Sequence, residues 1–288
     1  MPQLLALLLL LFFRATSPAS SPAASPQDQP LGNRAESVKL AVIGDSGTGA
    51  APQFEVGRQM ATARARFPFD TVIMLGDNLY GRQQPQDFVD KFERPYAGLL
   101  ESGVMFYASL GNHDDPAGRY YKAFNMGGER YYAFSKKNVR FLALDSNLMD
   151  AKQLAWIEDT LKQSQDAWKI CYFHHPLYSN AGRHGSEVEL RVILEPIFVK
   201  YGVNVVLSGH DHVYERLKPQ HGITYFVDGS SGQLRKGDLR QSESTAAAFD
   251  QDQTFMLIEI ALDEMSFEAV SRTGRIVDSG VVYRRPKT

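Results

Sequence analysis

Beyond Ser37, short apolar runs alternate with amphipathic stretches, the pattern of an α/β domain. Five runs, Val38 to Ile43, Thr71 to Leu75, Val104 to Leu110, Trp168 to Phe173 and Val203 to Leu207, are predicted as buried strands. Leu154, Ile157 and Leu161 share one helical face, and Asp150 stands where it can cap that helix. Ser186 and Glu189 have capping-box spacing ahead of Leu190, Ile193, Leu194 and Ile197, with Pro196 predicting a kink or a restart. From Ile223 onward the texture changes to strands and turns: Ile223 to Val227, Thr254 to Ala261, Met265 to Val270 and Ile276 to Tyr283. This tail predicts a second sheet, antiparallel in part, rather than another helical layer. The polar stretch from Gly229 to Asp250 reads as a long loop that either covers a site or extends into solvent. Its Arg235, Lys236 and Arg240 are expected to be solvated rather than phosphate-binding.

The first residues follow another pattern. Leu4 to Phe13 form an unbroken apolar block, well short of the roughly 20 residues an apolar membrane span needs and suited to a signal-peptide core. No Lys or Arg precedes it, so the usual positive start comes only from the amino terminus. Small residues supply cleavage sites at Ser17-Pro18-Ala19 and Ser21-Pro22-Ala23. Residues 1–23 are expected to be a signal peptide of a secreted or periplasmic protein, and 24–36 a flexible Pro/Ser/Ala-rich linker. No cysteine follows the block, so no lipid anchor is expected, and its ten residues are too few for a stable membrane span.

Composition narrows the chemistry. A chain of 288 residues, 43% hydrophobic and 22% charged, suits one large globular domain or two small ones. The 31 basic and 33 acidic residues leave a net charge of -2, with no polycationic footprint for nucleic acid, so none is expected as a partner. The single cysteine, Cys171, excludes an intrachain disulfide and a thiolate-rich zinc site. Any metal must then use imidazole, carboxylate, amide or phenolate donors.

Those donors close the five apolar runs. The runs end in Gly44-Asp45-Ser46-Gly47, Gly76-Asp77-Asn78-Leu79-Tyr80, Gly111-Asn112-His113-Asp114, His174-His175-Pro176 and Gly209-His210-Asp211-His212. Ligands of open α/β sheets bind beyond the carboxyl ends of the strands, so five such ends are expected to face one site. A lone Gly-Asp is most often a turn, and a lone strand-end histidine a hydrogen-bonded residue; the conjunction points to a site. Six of the seven histidines lie in these segments or in the loop carrying His184, and His221 stands outside. His210 and His212, two apart, leave an extended backbone on the same face. His174 and His175 are adjacent and should point oppositely, so one ligand is expected of the two, with His175 packing. Asp77 and Tyr80 are three apart, a gap that one tight turn closes. The set is rich in oxygen and nitrogen and suits a pair of metals better than one structural zinc.

The succession GD, GDNLY, GNHD, HxP and GHDH resembles the calcineurin-like metallophosphoesterases, and more narrowly the small, tartrate-resistant type of purple acid phosphatase. Many relatives carry Asp-x-His in the first motif; here Asp45-Ser46-Gly47 stands instead, and the missing imidazole is supplied, by resemblance, by Tyr80. The resemblance runs from about Val38 to Gly229 and more loosely through the tail. It implies a four-layer α/β/β/α sandwich of two mixed β-sheets flanked by helices, with residues 37–288 as a single catalytic domain. It implies one metal held by Asp45, Asp77, Tyr80 and His212, and another by Asp77, Asn112, His174 and His210, with Asp77 bridging. His113 and His184, the latter in Arg183-His184-Gly185, would face substrate beyond the ligands.

A tyrosinate with two carboxylates favours a hard trivalent ion, so Fe(III) is expected in the Tyr80 site and a divalent Fe, Zn or Mn in the other. The implied reaction is hydrolysis of small phosphomonoesters by attack of a metal-bound hydroxide, releasing inorganic phosphate. A ferric ion keeps hydroxide available in mild acid, which predicts an acid optimum. His113 or His184, protonated there, would donate to the leaving alkoxide or bind phosphate, unless both only position other groups. Two alternatives stand beside this: a phosphodiesterase or nucleotide-cleaving enzyme on the same scaffold, and a non-hydrolytic iron-binding redox protein.

Overall fold

The computed structural model describes residues 31–285. The expected signal peptide and most of the expected linker lie outside the described residues. Within that linker Leu31 is buried, and the backbone amides of Asn33 and Arg34 donate to the Glu259 carboxylate at 2.8 and 2.6 Å. Residues 31–36 are therefore fastened to the domain.

The first sheet begins with three parallel strands, β1 (Val38–Ile43), β2 (Thr71–Met74) and β3 (Met105–Ala108). The chain then builds a second sheet from β4 (Tyr132–Lys136), β5 (Val139–Ala143), β6 (Trp168–Tyr172), β7 (Val205–Ser208), β8 (Tyr214–Leu217), β9 (Thr224–Asp228) and β10 (Thr245–Phe249). It finally returns to the first with β11 (Thr254–Ala261), β12 (Glu264–Ser271) and β13 (Ile276–Tyr283). The strand orders are β13-β12-β11-β1-β2-β3 and β10-β8-β9-β7-β6-β5-β4, and both sheets are mixed.

Alternation along the strands explains why the sheets face each other. Val38, Leu40 and Val42 of β1 pack against Trp168, Ile170 and Tyr172 of β6 in the core between the sheets. The intervening Ala41 and Ile43 face a core shared with Val56 and Met60 of the helix Ala51–Arg66. Cys171 and Phe173 face Ile157, Leu161, Leu194 and Phe198 of the helices Ala151–Gln163 and Val188–Lys200. Strands buried on both faces read as continuous apolar runs, which is why these were legible. The result is the expected four-layer α/β/β/α sandwich.

Two local expectations need correction. The tail is not a sheet of its own: β11 pairs antiparallel with the open edge of β1, Leu40 opposite Ile258, and carries β12 and β13 with it. Ser186 is not the cap of the second helix. Its hydroxyl engages the backbone of Ser179, Glu187 occupies the N-cap position without a side-chain cap bond, and the helix runs through Pro196.

Asp150, in contrast, caps its helix by accepting from the Gln153 amide at 2.8 Å. Asp150→Ala is expected to lower stability by exposing an unsatisfied helix amide, read as a lowered urea midpoint. An unmoved midpoint would show that solvent satisfies that amide equally well.

Candidate metal centre

The five loops that follow β1, β2, β3, β6 and β7 converge at one end of the two sheets. Asp45, Asp77 and His210 hold left-handed backbone conformations there, with φ of 53°, 50° and 70°. Non-glycine residues in that region cost on the order of 1 kcal/mol or more each, and the cost is offset by what the turns place together. Two flanking glycines are required by contact. A Cβ on Gly76, φ 91°, would lie 2.7 Å from His174 Nδ1, and one on Gly209 would lie 2.4 Å from Asp45 Oδ2.

The seven side chains expected as ligands are gathered into two linked groups. In the first, the Tyr80 hydroxyl lies 3.0 Å from Asp45 Oδ1 and 3.3 Å from His212 Nε2, and His212 Nε2 is 3.4 Å from Asp45 Oδ1. In the second, His174 Nε2 lies 3.0 Å from Asn112 Oδ1, 3.1 Å from His210 Nδ1 and 3.5 Å from Asp77 Oδ1. The His210 amide donates to Asp45 Oδ2 at 2.8 Å, and Asp45, Asp77 and His174 each bring one ligand atom within 4.8 Å of the others.

The second group carries a chemical signature. His174 Nδ1 lies 3.0 Å from the Leu75 carbonyl, an acceptor only, which assigns the ring proton to Nδ1. His174 Nε2 then presents a lone pair to a carboxylate, an amide oxygen and another imidazole nitrogen. Burial holds His174 well below the ordinary histidine range, so charging the ring does not relieve this crowding. The four atoms are of the types that ligate a cation.

Electrostatics around both groups point the same way. Burial lowers His210 to about 2 and His212 to about 4, leaving imidazoles neutral and able to ligate. Burial and then the neighbouring Asp77 charge hold the Asp45 carboxyl well above its usual range. Burial, followed by the charges of Asp45 and Asp77, pushes the Tyr80 phenol far up. Making Tyr80 a phenolate therefore requires a strongly Lewis-acidic cation. Donor types, burial and spacing fit a metal pair.

The outer histidines flank this cluster. The exposed His113 ring lies 5.0 Å from Tyr80, and its backbone amide donates to Asp77 Oδ1 at 2.9 Å. The exposed His184 ring lies 4.2 Å from His210. His175 is closer to the centre than expected: its ring is 4.5 Å from His210, and it forms a metal-capable trio with His174 and His210. The expectation that His174 and His175 diverge assumed extended backbone, but β6 ends at Tyr172 and both lie in the bend beyond. His175 Nδ1 pairs with Ser146 Oγ at 2.8 Å. His221 sits apart, its Nε2 3.7 Å from Glu195 on the surface.

Three organisers escaped sequence reading. The Asp114 carboxylate accepts from Asn78 Nδ2 and the Gly111 amide, both at 2.8 Å, and from the Leu79 amide at 3.0 Å, locking the second and third motifs together. Burial raises it to about 7. Asp211 accepts from Ser179 Oγ at 2.6 Å and from the Gly185 amide at 3.2 Å, which fixes the His184 loop beside the fifth motif. Ser146 anchors His175. Asp114 and Asp211 lay inside quoted motifs, but their roles depend on loops joined only in the fold.

The sequence profile described as calcineurin-like phosphoesterase matches residues 38–214, more than half of the chain. The chain belongs to the calcineurin-like phosphoesterase family. Its similarity to the tartrate-resistant acid phosphatase type 5 of Rattus norvegicus is 24% identity over 304 residues, 88% of this chain and 92% of that protein. Purple acid phosphatase 17 of Arabidopsis thaliana is 25% identical over 70% of this chain and 71% of its own. The solved purple acid phosphatase PPD1 from yellow lupin superposes with a TM-score of 0.73 at 18% identity, over 88% of this chain and 55% of that one. GAP50, described as the anchor in the inner membrane complex of Plasmodium, gives 0.74 at 17% identity, over 87% and 90%. Membership of the phosphoesterase family brings phosphoester hydrolysis as the reaction class. The shared fold alone does not, since a protein described as an anchor has it. Among the described residues of this family member, no helix is long and apolar enough to cross a membrane.

Proposed function

We propose that the chain is a dimetal acid phosphatase that hydrolyses small phosphomonoesters and releases inorganic phosphate. The observation that carries the reading is the convergence of the buried His174 Nε2 with the Asn112 amide oxygen, an Asp77 carboxylate oxygen and the His210 ring nitrogen. Asp45, Asp77, Tyr80 and His212 would hold one metal, and Asp77, Asn112, His174 and His210 the other. A hard, phenolate-demanding site suits Fe(III), and the imidazole-rich one a divalent Fe, Zn or Mn. When bound, such a pair supplies the nucleophile and neutralises the charge that develops on the phosphoryl group.

The protein's own groups do the rest. Leu75 fixes the His174 tautomer, and the His113 and His210 amides orient the Asp77 and Asp45 carboxylates. His113 and His184, exposed beside the two groups, stand where one can donate a proton to the leaving alkoxide and either can bind a phosphate oxygen. A cleft of about 480 Å³ lined by Asn112, Ser146, Asn147, His175, Glu187 and Leu190 adjoins the cluster and offers room for the leaving group. Residues 37–288 act in this reading as one catalytic domain, and residues 1–23 direct it out of the cytoplasm.

Purified protein should show a visible phenolate-to-iron band, and Tyr80→Phe should abolish it. Colour that survives Tyr80→Phe would remove Tyr80 from the ligand set. Ester panels at pH 5 and pH 7.5, with metal analysis of the same sample, separate this reading from a phosphodiesterase: monoester preference at pH 5 supports it, and diester preference overturns it.

A further inference from the structure

The segment from Gly229 to Asp250 is not a solvated loop. It ends in β10, and its first half is stitched to the metal-centre loops. The Gln233 amide donates to the Asp45 carbonyl at 3.0 Å and the Arg235 amide to the His212 carbonyl at 2.9 Å. On its far side the Gly182 amide donates to the Asp238 carbonyl at 2.7 Å, the Arg240 amide donates to the Asn180 carbonyl at 3.0 Å, and Ala181 bridges to Leu239. Arg235 is thereby held between the motif carrying His212 and the loop carrying His184.

Its side chain is 28% exposed, with one arm of the guanidinium turned inward. Arg235 Nη1 is buried and has no hydrogen-bond partner, and the same holds for Asp238 Oδ2. These two atoms form an ion pair at 3.8 Å, too long for a hydrogen bond, so the guanidinium keeps donors for a further partner. A half-buried cation whose inward Nη1 makes no hydrogen bond, held beside the metal-centre loops, matches a phosphate oxyanion in charge and geometry. The chain's net charge of -2 supplies no long-range attraction for such a dianion, so local cations must hold it.

We propose that Arg235 is a substrate-binding residue that grips a non-bridging oxygen of the phosphoryl group from the His184 and His212 side. The proposal rests on the phosphatase reading above. The test uses metal-loaded enzyme, p-nitrophenyl phosphate as substrate and inorganic phosphate as competitive inhibitor. Arg235→Ala is expected to raise both KM and the phosphate inhibition constant about 10- to 100-fold, with metal content and thermal midpoint unchanged. Arg235→Lys, which keeps the charge and loses the fork, should recover part of that loss. Should the alanine variant fail to fold, Arg235→Gln, which keeps most of the buried stem, is read in its place. An unchanged phosphate inhibition constant overturns the role, as does a loss that follows metal content. Wild-type enzyme that neither cleaves the ester nor binds phosphate overturns the phosphatase reading itself; active wild type with silent Arg235 variants overturns only this inference.

Discussion

His174→Ala is expected to lower kcat on phosphomonoesters by about a thousandfold or more and to reduce bound metal from two ions per chain toward one. The side chain is fully buried, and its Nε2 is the point at which Asn112, His210 and Asp77 converge. Removing it takes away one of four donors and leaves Asn112, His210 and Asp77 around a void, so the second ion is held more weakly. Metal analysis and steady-state kinetics on the same preparation check this. His221→Ala, on the surface beside Glu195, serves as the control and should leave both readings unchanged. A His174→Ala enzyme with full activity and full metal content would sink the assignment of the second group.

Acidification gives the other large effect, read on the metal-free protein. His212 ionises at about 4 in the fold because burial disfavours its charged form, against 6.5 for an ordinary histidine. Above that ordinary value both folded and unfolded chains carry a neutral ring, and its stability contribution is fully present. Below it the unfolded chain binds the proton first, so the contribution is lost as pH falls toward 4. The accumulated loss is roughly 3 kcal/mol at pH 4. Wild type should lose about that much stability relative to His212→Asn between pH 7 and pH 4, read from urea denaturation of both proteins at several pH values. Parallel profiles for the two proteins would show that His212 titrates normally. The same shift keeps the ring neutral in mild acid, as a ligand must be.

β1, β11 and β13 fall on the expected residues, and β2, β6 and β7 differ from expectation by one or two positions at their ends. β4, with its half-exposed pattern, β5 and β8 were not distinguished, and neither was the helix Ala51–Arg66. That helix has Ala, Arg and Gln through its sequence and buries Gln53 and Gly57 along with Val56 and Met60, so apolar periodicity marks it poorly. β10 was hidden for a similar reason: it alternates half-buried and exposed residues at the sheet edge inside a polar stretch.

The sequence by itself determined the donor types and their order: one cysteine, seven histidines, and Asp, Asn, Tyr and His at the ends of apolar runs. Those are local properties, since a strand's burial and the residues that stop it are written in consecutive positions. Only the tertiary structure decided which donors meet. It turned His175 toward His210 through a bend, joined β11 to β1 rather than to the second sheet, and used Asp114 and Asp211 to tie one motif to another. It also drew Arg235, expected in solvent, into a half-buried position between two motifs. Each outcome depends on a contact between segments far apart in the chain, where side-chain direction follows from packing and hydrogen bonding that no run of neighbouring residues encodes.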